Sequence, residues 1–412
     1  MYNHLIRRGK AYNVFSNDIE TEKNPMLEHN APINGYCGYL EPGKDEKALA
    51  RGDRFVDEIK ENIIADFEKN EAYCMHLKGE HPDSMVHVST FKIIDNIVYM
   101  TYYANTATAE EDPYHQEARL AFCPINKTED MTIVTIQKVG DQLDGKTIDR
   151  VYDTILLYKG GDELFIMWTA SADGLYYRLY CIYNITNKEL SVIRPNRFRV
   201  GEVVNDYSAT GITTAFAANQ IPYKEMFSDI GIMQKITFRE ENGETYYYTG
   251  SYSGYLTFVI KSKDFVTWEY VSAPDFVNLS MWENATYVLG DKVFYFVRQY
   301  DCNQGFLTCY DLKLKKWEKP FLIRDAQSRS DFIYYQNQLY LIHAPLDRDG
   351  IGVVRVDTDD ISRSETVLVA RMHESMFYPF MDVYGDEVYL SYTVDRKHIR
   401  LTKFRLLNYV EK

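Results

Sequence analysis

Six times along this chain a short polar opening leads into an apolar strand, and two further strands follow at short range. The openings are His87-Val88, Tyr152-Asp153, Ser228-Asp229, Glu283-Asn284, Ser330-Asp331 and Tyr378-Pro379. They run into VSTFKI, TILLYK, IGIMQKI, ATYVLG, FIYYQ and FMDVYG. A second, aromatic-rich run comes after each: VYMTYY, ELFIMW, TYYYTG, VFYFVRQ, LYLIHA and VYLSYT. An all-strand unit that recurs along the sequence predicts an all-β fold, a six-bladed β-propeller. In that architecture the inner strands begin around one central channel. Residues at the openings, though far apart in sequence, are therefore expected to converge on one pocket.

Blades are expected over roughly 84–138, 150–195, 227–273, 281–324, 328–371 and 376–408, so that 84–412 forms the propeller and 1–83 a separate N-terminal segment. Within that segment, Phe55, Ile59, Ile63, Ile64 and Phe67 recur at helical spacing in the charged stretch 42–71, which predicts one amphipathic helix. The last blade shows only three clear strands. Ala11-Tyr12-Asn13-Val14-Phe15 is the candidate strand to close it. The stretch 196–226 is longer than a hairpin requires and is expected to reach over the pocket.

Composition narrows the partners. A net charge of −14 without a long Lys/Arg run argues against nucleic acid. No stretch approaches the roughly 20 apolar residues of a membrane helix, so no membrane partner is expected. The N-terminus lacks the apolar stretch of a signal peptide, and the six cysteines form no CxxC. A reduced, cytoplasmic protein with unbridged thiols is the expectation. His343, His373 and His398 have no metal-site spacing, and no metal or other cofactor is implied. Thirty-five tyrosines and 21 phenylalanines suit twisted strands and sugar-binding surfaces alike.

Ser262-Lys-Asp264-Phe-Val-Thr267-Trp268 resembles a shortened form of the Asp box of sialidases and related propellers, a structural turn away from the pocket. Asp311–Trp317 looks like a decayed copy. The resemblance sharpens at the pocket. Trp282-Glu283-Asn284 followed by VFYFVR, with Arg298 fifteen residues after Glu283, is similar to the sialidase blade in which a glutamate opens the inner strand and an arginine ends the next. Ser328-Arg329-Ser330 resembles the next blade, where another arginine opens. FYPFMDVYGDEVYLSYT is similar to the blade opened by a tyrosine. The resemblance implies Tyr378 as nucleophile, Glu283 as its activating base, and Arg298 and Arg329 as two of three carboxylate-binding arginines. The chemistry is coherent, because a phenol is a poor nucleophile at neutral pH unless a base takes its proton. Tyrosine nucleophiles are also a recognised exception to paired-carboxylate glycosidases.

The chain also departs from that pattern. Sialidases open the first blade with an arginine, whereas here His87 stands in Val86-His87-Val88-Ser89-Thr90. The loop 105–117, which in sialidases carries the acid, offers Glu110, Glu111, Asp112, His115 and Glu117 without a decisive choice. His87 and Tyr152 together resemble the histidine–tyrosine pair of propeller-fold polysaccharide lyases, which eliminate across a uronate. The arginine those lyases place at the end of the second blade's second strand is replaced by Trp168 and Thr169.

The functional expectation is an exo-acting glycoside hydrolase on an oligosaccharide carrying an acidic or modified sugar. Tyr378, Glu283, His87 and Tyr152 are its candidate catalytic residues, with Arg298, Arg329, Asp153, Asp229, Asp331 and His115 as substrate contacts. The alternatives are a uronate lyase using His87 and Tyr152, and a sugar-binding propeller without catalysis. Each residue also has a purely structural reading. His87 could be a hydrogen-bonded strand residue, the aspartates could cap strands, Arg298 could simply pair with Glu283, and Tyr378 could only pack.

Overall fold

The computed structural model describes residues 83–127, 131–221, 229–253, 256–274, 283–298, 304–324, 326–345, 348–371, 375–404 and 406. The expected helix over 42–71 and closing strand over Ala11–Phe15 lie outside them, as do Ser228 and Trp282. The described chain is an all-β propeller, but of five blades rather than the six expected. Five sheets reach four or more strands, while the last, Phe377–Tyr384, Glu387–Val394 and His398–Lys403, holds three. This three-stranded sheet stands beside the first blade: Ser89 Oγ donates to Ser391 Oγ at 2.9 Å.

The alternating runs of the sequence become antiparallel strands because each sheet buries both faces against neighbours. Separate apolar clusters fill the successive interfaces. Leu120, Trp168 and Cys181 lie between the first and second blades. Ile155, Phe258 and Trp268 lie between the second and third. Phe91, Tyr102 and Leu401 join the three-stranded sheet to the first blade. Cys123, Cys181 and Cys309 are thiols within these layers, and burial pushes the Cys181 thiol up to about 12. Among the described residues, no helix is long and apolar enough to cross a membrane and no cluster of side chains could hold a metal ion.

The third-strand turns share one device. Asp264 Oδ1 accepts from the N–H groups of Val266 and Thr267 at 2.8 Å. Asp311 does the same for Lys313 and Leu314, and Asp357 for Asp359 and Asp360. In each turn a carboxylate satisfies N–H groups that the sheet cannot.

The described part of the stretch 196–226 does not lie over the pocket. Arg197–Val200 adds to the third blade, parallel to Thr267–Ser272, and pairs with Val203–Asp206. A helix follows, Ala209–Ala218, capped by Ser208. Its Ile212 and Phe216 pack with Phe198 between the second and third blades. The apolar periodicity of ATGITTAFAA explains this, since such a face is driven into the core and not toward the mouth.

One segment crosses the channel. Gln234 of the third blade donates to the Pro379 carbonyl at 2.9 Å, and Lys235 donates to the Met381 carbonyl. Lys235 also pairs with the fully buried Asp331 at 3.1 Å, and Asp331 accepts from the Met381 N–H at 2.7 Å. Burial pushes the Asp331 carboxyl up to about 6, partly offset by Lys235. Asp331→Ala leaves Lys235 buried and unpaired. Such a loss is expected to cost about 3–5 kcal/mol in denaturant unfolding, and a loss below about 1 kcal/mol would discount the tie.

Candidate active site

The inner strands are bent at corresponding points. Register slips between His87 and Thr90, Tyr152 and Ile155, Gln327 and Asp331, and Phe377 and Phe380. Within each slip one non-glycine residue takes a positive φ: Val88 (54°), Asp153 (59°), Ser328 (69°) and Tyr378 (54°). A β-branched valine there is sterically costly. β-bulges re-aim side chains, and strain of about 1–3 kcal/mol per residue persists only where surrounding packing imposes it. Four such bends around one channel set the direction of the side chains that line it.

Glu283 immediately precedes the inner strand Asn284–Leu289 and Arg298 ends the next, Lys292–Arg298. The Arg298 N–H donates to the Glu283 carbonyl at 3.1 Å, and its guanidinium donates to the Glu283 carboxylate. Burial would raise that carboxyl. Arg298, Arg329 and Arg348, with a hydrogen bond from Tyr378, nonetheless hold it below its ordinary value. The Tyr378 hydroxyl is pushed well above its usual range, by burial first and by Glu283 second. The Arg329 guanidinium lies 5.0 Å from the Tyr378 ring centre and that of Arg348 5.9 Å away.

His87 stacks on Tyr378 with ring centres 4.5 Å apart and planes at 15°. The imidazole is fully buried, and its Nδ1 lies 3.1 Å from Thr393 Oγ1. Burial first, then Arg396, Arg348 and Arg329, hold it well below the usual histidine range. His87 thus lies buried beneath Tyr378, with its Nε2 bonded to no protein atom.

The opposite wall carries a second group. Arg329 reaches Asp153 of the second blade. Asp153 also faces Arg178 at 3.5 Å, and Arg178 Nη1 donates to the Asp153 carbonyl at 2.8 Å and Thr169 Oγ1 at 2.9 Å. Tyr152 donates to Asp229, whose carboxyl rises to about 7 through burial first and the Asp153 charge, despite the bond from Tyr152. The Tyr252 ring packs over Gly231, where a Cβ would sit 2.2 Å from it, so only glycine fits. Arg329 Nε, Arg348 Nη1, and Arg178 Nε and Nη2 are buried nitrogens that no protein atom satisfies.

The cluster therefore gathers Glu283, Tyr378, Arg298, Arg329, His87, Asp153, Tyr152 and Asp229. It does not gather Asp331, which is the channel tie described above, nor His115. The latter is about half exposed and held by Asp112 at 2.7 Å. From the loop 105–117 it is Glu111 that enters, bonded to the Tyr103 hydroxyl and 2.7 Å from Arg396. Sequence reasoning missed Arg348 and Arg396, which sit in hairpin turns (Asp-Arg-Asp-Gly and Asp-Arg-Lys) and not at strand openings. It also missed Arg178, although an arginine inside the apolar run LYYRLYC was a visible signal.

No family model matches this chain, and no curated protein matches its sequence. Among solved structures it is similar to the Hadza microbial sialidase Hz136, with a TM-score of 0.54, 10% identity, and coverage of 81% of this chain and 68% of the other. It is similar also to the NanB sialidase from Streptococcus pneumoniae, with a TM-score of 0.52, 8% identity, and coverage of 81% and 70%. At these identities the likeness shows a shared propeller fold.

The buried neutral His87 has a pH consequence. A histidine held below its unfolded value near 6.5 adds stability that is present above that value and is lost as pH falls through it, because the unfolded chain then binds the extra proton. Relative to His87→Asn, the wild type should lose stability from pH 7 to pH 5 with a slope approaching about 1.4 kcal/mol per pH unit. Parallel unfolding curves for the two proteins would contradict a buried, neutral His87.

Proposed function

We propose that this protein is a glycoside hydrolase acting on an oligosaccharide with a terminal acidic sugar, with Tyr378 as nucleophile and Glu283 as its base. The observation that carries this reading is the Tyr378–Glu283 hydrogen bond surrounded by Arg298, Arg329 and Arg348. In the first step the phenol proton passes to Glu283 while the phenol oxygen attacks the anomeric carbon and the bond to the leaving oxygen breaks. Water later displaces the tyrosine, and Glu283 returns the proton.

The pair is poorly matched at rest, with Tyr378 raised and Glu283 lowered. A substrate carboxylate alters this balance. Bound by the guanidiniums, it cancels part of the positive field on Glu283 and makes it a stronger base. A neutral sugar at the same place brings no such change. This argument favours acidic sugars, and the unsatisfied nitrogens of Arg329 and Arg348 favour an anionic partner. The lyase alternative is less well supported, because His87 lies buried beneath Tyr378 and not beside an open space.

A panel of sialate- and uronate-capped oligosaccharides tests the reading. Release of the terminal acidic sugar, abolished in Tyr378→Phe, is the expected result. Arg348→Ala should raise KM about 10- to 100-fold, the scale of one charged hydrogen bond. An unsaturated product seen by ultraviolet absorbance would establish elimination instead, and full activity in Tyr378→Phe would end the nucleophile assignment.

A further inference from the structure

Three tyrosine–carboxylate pairs surround one floor: Tyr378 with Glu283, Tyr103 with Glu111, and Tyr152 with Asp229. The floor is built by Met85, Val88 and Tyr103, against which both Tyr152 and Tyr378 pack. Two of the pairs are locked to guanidiniums, Glu283 to Arg298 and Glu111 to Arg396. Among the described residues Asp229 has no ion pair. Arg150, which acts on the Asp229 carboxyl from a distance, is occupied by the hydroxyls of Tyr114 and Tyr176. The charged and titratable groups facing Asp229 are Tyr152, Asp153 and Arg150 from the inner strand of the second blade, Tyr176 from its third strand, and Tyr252 from the third blade.

We propose that Asp229, working through the Tyr152 hydroxyl, is the general acid and base for the leaving oxygen, facing the Tyr378–Glu283 pair across the channel. The assignment rests on the hydrolase reading above. As the glycosidic bond breaks, Tyr152 gives its proton to the departing oxygen and takes the proton held by Asp229. In the second step the carboxylate recovers a proton, through Tyr152, from the attacking water, whose oxygen bonds the anomeric carbon as the Tyr378 bond breaks. Atoms and protons balance over the cycle, and no co-reactant is needed.

The division of labour follows from environment. A carboxylate locked to a guanidinium stays ionised, as at Glu283, whereas a buried one next to another carboxylate keeps a proton near neutral pH, as at Asp229. Carboxyl groups pushed apart in this way take acid and base roles at one site.

The test uses the full chain and two substrates that differ only in the leaving group, an alkyl-linked oligosaccharide and an aryl glycoside of an acidic phenol. Asp229→Asn should lose about 10²–10⁴-fold on the alkyl substrate and far less on the aryl one, whose leaving group needs no proton. Tyr152→Phe should show the same pattern and covers the case in which the asparagine variant does not fold. Equal losses on both substrates would overturn the assignment alone. A wild type that cleaves no glycoside would overturn the hydrolase reading and this role with it. Infrared titration without substrate gives a separate readout. A carboxyl signal titrating near pH 7 and absent in Asp229→Asn is expected, and an Asp229 already ionised at about pH 5 would refute the proton-holding role.

Discussion

The ion pair of Arg329 with Asp153 connects the fifth blade to the second, across the channel and 176 positions apart in sequence. Both side chains are almost wholly buried, so each has lost the hydration of a full charge, and the partner, with Arg178 beside Asp153 and Glu283 near Arg329, offsets that loss. The pair is therefore less a source of stability than a constraint on arrangement. With either side chain removed, the other loses its closest opposite charge and keeps only its more distant one, Arg178 for Asp153 and Glu283 for Arg329. Each member also reaches a separate wall of the site. Arg329 lies against Tyr378 and acts on Glu283, while Asp153 contacts Arg178 and raises Asp229. One contact thus sets the distance and the electrical relation between two halves whose carboxyls are shifted in opposite directions, Glu283 down and Asp229 up.

The bent backbone belongs to the same constraint. Asp153 is itself one of the positive-φ residues, and Ser328 directly precedes Arg329. The Ser328 hydroxyl accepts from the Tyr378 N–H at 3.2 Å, and Tyr378 is a third strained position. Relaxing any of these bends would turn its side chain toward the blade face, because side chains alternate along a strand. The strain is held by interblade packing on one side and by the cross-channel ion pair on the other. This is the arrangement expected where backbone energy is spent on aiming functional groups.

The repeat of strand triplets was legible in the sequence because a sheet buried on both faces leaves apolar runs of fixed length between turns. The convergence of Glu283, Arg298, Arg329 and Tyr378 was legible for the same reason, since strand openings must point to the channel. The blade count was not. The last sheet has three strands among the described residues, and the segment expected to supply a fourth, Ala11–Phe15, lies outside them. The direction of His87 was equally hidden. A histidine at a strand opening reads as a channel group, yet the slip at Val88 buries it under Tyr378. No residue pattern forecasts a positive φ at a valine.

The arginines in turns explain a further gap. Arg348 and Arg396 sit in hairpins where charged residues are ordinary, so sequence position gives them no special weight. Tertiary structure changes their meaning by bringing both guanidiniums over the Phe377 ring, at 4.5 and 4.8 Å, beside Tyr378. Burial first, then repulsion from Arg298 and Arg396, lower the Arg348 guanidinium below its ordinary value, against the opposing pull of Tyr378 and Glu283. Like charges held this close in a partly desolvated site are unfavourable until an anion arrives. On the proposed function, a carboxylate bound here would relieve that repulsion and, by the same field, restore basicity to Glu283, making binding and activation a single electrostatic event. Such a site would select its substrate by the charge that switches it on, so that a neutral sugar of the same shape would occupy it without reacting.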